Sequence, residues 1–62
     1  MSEENLKLFV EQYNSFQENI EKFNEKNNSA AGTRARKSLL EIAKLTKILR
    51  KEIQDIKNSS KA

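Results

Sequence analysis

Residues 23–35, FNEKNNSAAGTRA, contain the one clear break in an otherwise continuous helical pattern. Asn27, Asn28 and Ser29 lie at the centre of this stretch. Asparagine tolerates the left-handed backbone conformation that ends helices, and serine is common where helices begin. The chain has no proline and a single glycine, so little else would interrupt long helices. We therefore expect one helix on each side of a joint at residues 27–29.

Apolar residues recur on both sides of the joint at alternating spacings of three and four, which is the pattern of packed helices. The first stripe consists of Leu6, Phe9, Tyr13, Phe16, Ile20 and Phe23. The second consists of Ala35, Leu39, Ile42, Thr46, Leu49, Ile53 and Ile56. The sequence predicts helix 1 over about residues 3–26, capped by Ser2, and helix 2 over about residues 30–58, capped by Ser29. Residues 59–62 are expected to be a frayed tail.

A joint this short places consecutive helices side by side and antiparallel. We therefore predict an all-α fold with one domain, an antiparallel two-helix hairpin of coiled-coil type. Helix 2 carries more apolar surface than one partner helix covers. We expect the surplus to make the hairpin a homo-oligomer, most simply a dimer that forms a four-helix bundle; the alternative is a monomer with a few exposed apolar residues. The expected interface residues are Leu40, Ala43, Leu45 and Ile48.

The composition argues against an enzyme. Sixty-two residues make one small domain with little room for a water-excluding pocket. Histidine and cysteine are absent, so the commonest general base, the thiol nucleophile, disulfides and the usual zinc ligands are all missing. A single glycine excludes a glycine-rich phosphate loop. We predict no enzymatic activity, no cofactor, no metal and no small-molecule substrate.

Charged residues interrupt the first twenty positions, and no apolar run approaches the roughly 18 residues of a membrane span. We therefore expect no targeting segment, no membrane association and a cytoplasmic location.

The net charge of +3 conceals a strong asymmetry between the halves of the chain. Residues 1–28 contain three lysines and six glutamates, whereas residues 29–62 contain nine lysines or arginines and three acids. Lys37, Lys44 and Lys51 recur every seven residues on the face of helix 2 opposite its stripe, and Lys47 and Arg50 lie beside them. Such a row favours binding to a phosphate backbone. The alternative is a solvated face, neutralised in part by the glutamates of helix 1.

Residues 33–37, TRARK, place cations in the first turns of helix 2, where the helix dipole is positive and acids are usual. Helix N-termini bind anions through free N–H groups, and the small residues 30–32 would let a phosphate backbone approach closely. We predict a phosphate site here, formed by Thr33, Arg34, Arg36 and Lys37. The alternative is that acids at the end of helix 1, around Glu25, pair with the arginines.

The chain resembles the bacterial linker-histone-like proteins of the chlamydial type, and most of all their short members. The resemblance rests on residues 28–37, NSAAGTRARK, on Leu39 and Ile42, and on residues 50–58, RKEIQDIKN. It implies a nucleoid-associated protein that binds DNA with little sequence preference and compacts it. The sequence differs from the family pattern in two features. Long members carry a Lys-rich C-terminal tail, and Ser29 stands where lysine is usual in the family.

We therefore expect a histone-like, nucleoid-associated protein whose partner is double-stranded DNA, bound through its phosphates and without sequence preference, so as to compact or bridge it. The alternative is a small coiled-coil interaction module that binds another protein and no nucleic acid.

Overall fold

A computed structural model describes residues 3–59, and within them the chain forms two helices and no strand. Helix α1 spans Glu3–Lys26 and helix α2 spans Ser29–Ser59. The two helices pack against each other as a hairpin of 54 × 15 × 14 Å. The prediction of an all-α two-helix hairpin is confirmed. The predicted cap Ser2 and most of the predicted frayed tail lie outside the described residues.

The joint consists of Asn27 and Asn28, each with a separate task. Asn27 has a φ of 52°, the left-handed conformation that ends α1. The side-chain oxygen of Asn28 accepts a hydrogen bond of 3.2 Å from the N–H of Ala31. Asn28 therefore caps α2, and the expectation that Ser29 is the cap is wrong. With Asn28 as the N-cap, Ser29 is the first helical residue of α2.

The contact between the helices uses only half of each predicted apolar stripe. On α2 the residues facing α1 are small or polar near the joint and larger beyond it: Ala31, Ala35, Ser38, Ile42, Leu45 and Leu49. On α1 the residues facing α2 include polar side chains: Asn5, Phe9, Gln12, Ser15, Phe16 and Asn19. Six residues of the two predicted stripes are instead 41–47% exposed, namely Leu6, Tyr13, Phe23, Leu39, Ile53 and Ile56.

This rotation of the helices has a physical reason in the joint. A two-residue joint holds the helix ends close together, and only small side chains such as Ala31 and Ala35 fit between backbones at that distance. Both alanines are at most 2% exposed. Phe23 packs its ring over Gly32, where an added Cβ atom would lie 2.7 Å from the Cδ1 atom of the ring. The expectation that residues 30–32 stay open to a phosphate backbone is therefore wrong at Ala31 and Gly32.

The polar side chains in the contact bond to one another. The Ser38 hydroxyl donates to the Ser15 hydroxyl at 3.3 Å, and the Asn19 amide donates to the Ser15 carbonyl at 2.9 Å. At the open end the Asn5 amide donates to Glu52 Oε1 at 3.1 Å. Within residues 3–59 no buried side-chain nitrogen or oxygen lacks a partner. These bonds offset the cost of placing polar groups between the helices.

Two leucines that the sequence analysis treated alike should differ in their effect on stability. Leu45 is 8% exposed in the contact with α1, whereas Leu40 is 65% exposed on the outer side of α2. We expect Leu45→Ala to lower the free energy of unfolding by about 2 kcal/mol, because it leaves a cavity. Leu40→Ala should change it by less than about 0.5 kcal/mol. Urea denaturation followed by circular dichroism measures both, and equal losses would contradict the observed contact.

Candidate nucleic-acid interface

Five cations of α2 lie on the side of the helix that faces away from α1. Lys37, Lys44 and Lys51 each follow a contact residue by two positions, which places them about 200° around the helix from it. We call the following five residues the basic face: Arg36, Lys37, Lys44, Lys47 and Lys51. All five are exposed. From Lys37 to Lys51 the basic face extends about 21 Å along α2.

The charge of the basic face is almost entirely unpaired within the described residues. The two ion pairs found between residues 3 and 59 are Lys22–Glu18 at 3.4 Å and Lys44–Glu41 at 3.6 Å. Each lies within one helix and is well exposed, so each contributes little. Neither connects the glutamates of α1 with the basic face. The alternative that α1 neutralises this face is therefore not seen in residues 3–59.

The predicted N-terminal cluster is divided between two sides of the hairpin. The Arg34 Nε atom donates a hydrogen bond of 2.9 Å to the side-chain oxygen of Asn19, which is only 8% exposed. Arg34 and Lys37 line a shallow polar groove of about 430 Å³ with Ser38. Lys37 thus lies at one margin of the basic face, and Arg36 lies at the opposite margin, next to Leu39. Side chains two positions apart on a helix point in directions about 200° apart, so Arg34 and Arg36 do not converge on one site.

Two of the donors expected at the start of α2 already have partners. The Thr33 hydroxyl donates to the Ser29 carbonyl at 3.3 Å, and the Ala31 N–H donates to Asn28. The cation at position 34 is explained in part by Asn19, because the side-chain oxygen of Asn19 accepts a hydrogen bond from Arg34 in the contact between the helices. No ion pair within the described residues joins Glu25 to either arginine. The unusual cations at this N-terminus therefore do not by themselves indicate a closed phosphate pocket.

Asn19 was missed by the sequence analysis, which followed apolar and charged residues only. A signal was present, because Asn5, Gln12 and Asn19 are amides spaced by seven residues. In the structure this row faces α2, where it meets the row of Ser38, Leu45 and Glu52, also spaced by seven.

The residues predicted for self-association lie on different surfaces. Leu45 faces α1 in the hairpin contact and offers little area to a second chain. Leu40 lies in the middle of the basic face, where a shallow cavity of about 170 Å³ is lined by Leu40, Ala43, Lys44 and Lys47. Ile48 is 44% exposed, and Arg50 is exposed beside the basic face.

Residues 3–59 hold no cluster of acidic side chains suited to a metal ion. Neither helix, as far as it is described, has a stretch that is both long and apolar enough to cross a membrane.

A scan against protein families matches the model of the histone H1-like protein Hc1 over residues 3–59, which is nearly the whole chain. The chain belongs to the histone H1-like protein Hc1 family. Membership supports a histone-like, DNA-binding role in general and agrees with the resemblance seen in the sequence. No curated protein and no solved structure matches the chain significantly.

The bond between Arg34 and Asn19 predicts different roles for two neighbouring arginines. We expect Arg34→Ala to lower the free energy of unfolding by about 1–2 kcal/mol, because it leaves the buried Asn19 oxygen without its donor. Arg36→Ala removes the same charge from an exposed position and should cost less than about 0.5 kcal/mol. Thermal and urea denaturation compare the two variants. A larger loss for Arg36→Ala would contradict the assigned contact.

Proposed function

We propose that this chain binds double-stranded DNA without sequence preference, through contacts between the basic face of α2 and the phosphates. The observation that carries the proposal is the concentration of five exposed cations on one side of a rigid helix. Of these five cations, only Lys44 has an acidic partner among the described residues. Membership of the Hc1 family supports the same class of ligand.

The binding would be driven by the release of counterions. Duplex DNA carries about one charge per 1.7 Å of its axis, so the roughly 21 Å of the basic face spans about 12 phosphates. Phosphates are therefore in excess, and the number of protein cations limits the contacts. If all five cations take part, the logarithm of the binding constant should fall with the logarithm of salt at a slope of about −4.5.

The basic face lacks the features of sequence recognition. Its cations are mainly lysines, which bind phosphate as point charges, and Leu40 occupies its centre. The Arg34 guanidinium is already held by Asn19 on another side of the hairpin. Contacts of this kind position a protein on DNA and do not distinguish one sequence from another. We place the bound protein on the bacterial nucleoid.

A second candidate function is a protein-interaction module without nucleic-acid binding. The observation that favours it is the number of large apolar side chains left exposed by the hairpin, among them Val10, Leu39 and Ile53. Such a module would form complexes that do not depend on salt or nucleic acid. Failure to bind duplex DNA at 50 mM salt would favour this candidate over the first.

Charge-matched variants test the DNA-binding surface. The first replaces Lys37, Lys44 and Lys51 of the basic face with glutamine, and the control replaces Lys7, Lys22 and Lys26 of α1 with glutamine. Both lose three charges. We expect the first to make the salt slope shallower by about 2.7, because three phosphate contacts are lost. The control should keep the wild-type slope.

Fluorescence anisotropy with random-sequence duplexes measures these slopes. The salt concentration is varied from about 50 to about 200 mM, because binding through phosphates weakens over this range. Circular dichroism checks that each variant remains helical. Equal slopes for the two variants would show that binding follows total charge and would remove the assignment to the basic face. A strong preference for one duplex sequence would contradict the phosphate mechanism.

A further inference from the structure

One long side of the hairpin is largely apolar and only partly covered, with Leu6, Tyr13, Leu39 and Ile53 exposed by 41–47% and Ile20 and Thr46 partly buried. At the joint end, Ile20 of α1 and Leu39 of α2 line the same open cavity of about 360 Å³. Seven-residue spacing continues this side along both helices. We call the following six residues the apolar face: Leu6, Tyr13, Ile20, Leu39, Thr46 and Ile53. Thr46 donates its hydroxyl to the Ala43 carbonyl at 2.8 Å and so has its polar group satisfied within its own helix.

The hairpin needs this face covered. Its buried apolar residues are two alanines and Leu45, and no large side chain of residues 3–59 is fully buried. A two-helix unit with so small a core is marginal alone, and oligomerisation is a common remedy in chains without disulfides or metals. The rows spaced by seven residues are suited to a surface that repeats at the same interval. A second copy of the hairpin has such a surface.

We propose that the apolar faces of two copies pack together in a symmetric four-helix bundle whose two-fold axis runs parallel to the helices. In this arrangement α1 of each copy lies beside α2 of the other, and all neighbouring helices are antiparallel. The other two-fold arrangement has its axis across the helices and places α2 beside α2. The charges along the borders of the apolar face distinguish these arrangements.

The border of the apolar face on α2 is basic. The next row outward from Leu39, Thr46 and Ile53 consists of Arg36, Ala43, Arg50 and Lys57. Packing α2 against α2 would bring two such rows together, and like charges that face each other are destabilising. The corresponding border on α1 consists of Glu3, Val10, Gln17 and Asn24, which contains one acid and no base. Pairing α1 with α2 therefore avoids the repulsion.

The two borders also match along their length. A two-fold axis parallel to the helices leaves the height of each residue unchanged. Within one hairpin Val10 and Ala43 lie at similar heights, between the Asn5–Glu52 and Ser15–Ser38 hydrogen bonds. In the bundle Val10 of one copy therefore lies next to Ala43 of the second copy. This contact covers Val10, which is 54% exposed in the single hairpin.

The arrangement determines where the basic faces lie. Because the basic face of each α2 points away from its own α1, the two basic faces of the bundle point in opposite directions. This consequence rests on the proposed DNA binding: the dimer would bridge two duplexes. With the axis across the helices, both basic faces would lie on one side and would grip a single duplex.

A matched pair of variants tests which side self-associates. Leu39→Gln alters the apolar face, and Leu40→Gln makes the same change at the next residue, on the basic face. By sedimentation equilibrium we expect wild type and Leu40→Gln to have about twice the 7.2 kDa chain mass at about 100 μM. Leu39→Gln should weaken the dimer at least tenfold. A monomeric wild type, or a greater loss for Leu40→Gln, would overturn the proposal.

Cysteine cross-linking tests the arrangement independently of any loss of folding, because the natural chain has no cysteine. We expect a variant with both Val10→Cys and Ala43→Cys to form disulfide-linked dimers on oxidation, with peptide mapping showing the 10–43 linkage. Ala43→Cys alone should stay largely uncross-linked. Efficient dimerisation of Ala43→Cys alone would overturn the arrangement, since Ala43 lies near the middle of α2, where α2 would cross α2.

A bridging assay separates this inference from the proposed function. Bead-bound duplex should capture a second, labelled duplex in the presence of wild-type protein, and Leu39→Gln should lose at least tenfold of this capture while still binding one duplex. Bridging by Leu39→Gln at the wild-type level would contradict the bundle. If wild type binds no DNA at all, the proposed function fails, and the sedimentation and cross-linking results still decide the dimer.

Discussion

The close approach of the two helices at the Asn27–Asn28 joint is the constraint on which the rest of the structure depends. A joint of two residues holds the ends of the helices close together. The residues between the helices near the joint must therefore be small, and Ala31 and Ala35 meet this requirement. The same approach orients the rest of α2, because a helix is rigid along its length. It thereby determines which side of α2 is available for the proposed DNA contacts and which side for the proposed second copy.

The interhelical contact is partly polar, and this has consequences for stability and specificity. Asn19, Ser15 and Ser38 bond to one another or to Arg34, so their burial costs little, but each such bond contributes only about 1 kcal/mol. Large apolar side chains that would stabilise the hairpin lie outside the contact. A single hairpin therefore holds its helices in register, while much of its hydrophobic surface remains available for association.

The proposed DNA binding and the proposed self-association use different sides of α2. Three sides of one helix carry different chemistry: the side toward α1 is small or polar near the joint and larger beyond it, an apolar row lies beside it, and the basic face lies opposite. Association through the apolar row leaves most of the basic face free, because the border row between them contains Ala43 and Arg50, and of the basic face only Arg36 belongs to that border. The proposed self-association and the proposed DNA binding are therefore compatible in one particle.

The sequence by itself determined the two helices, the joint and the basic row, because these follow from local preferences: asparagine at a helix end, absent proline, and lysines spaced by seven. The sequence did not determine how each helix is rotated about its own axis relative to the other helix. Both Leu39 and Ala35 fit an apolar stripe, and only the distance between the backbones selects the smaller residue for the contact. The same holds for Arg34, whose partner Asn19 is fifteen residues away in sequence. The helix itself points Arg34 and Arg36 in different directions, but only the packing of the helices decides that Arg34 is the one that bonds to α1.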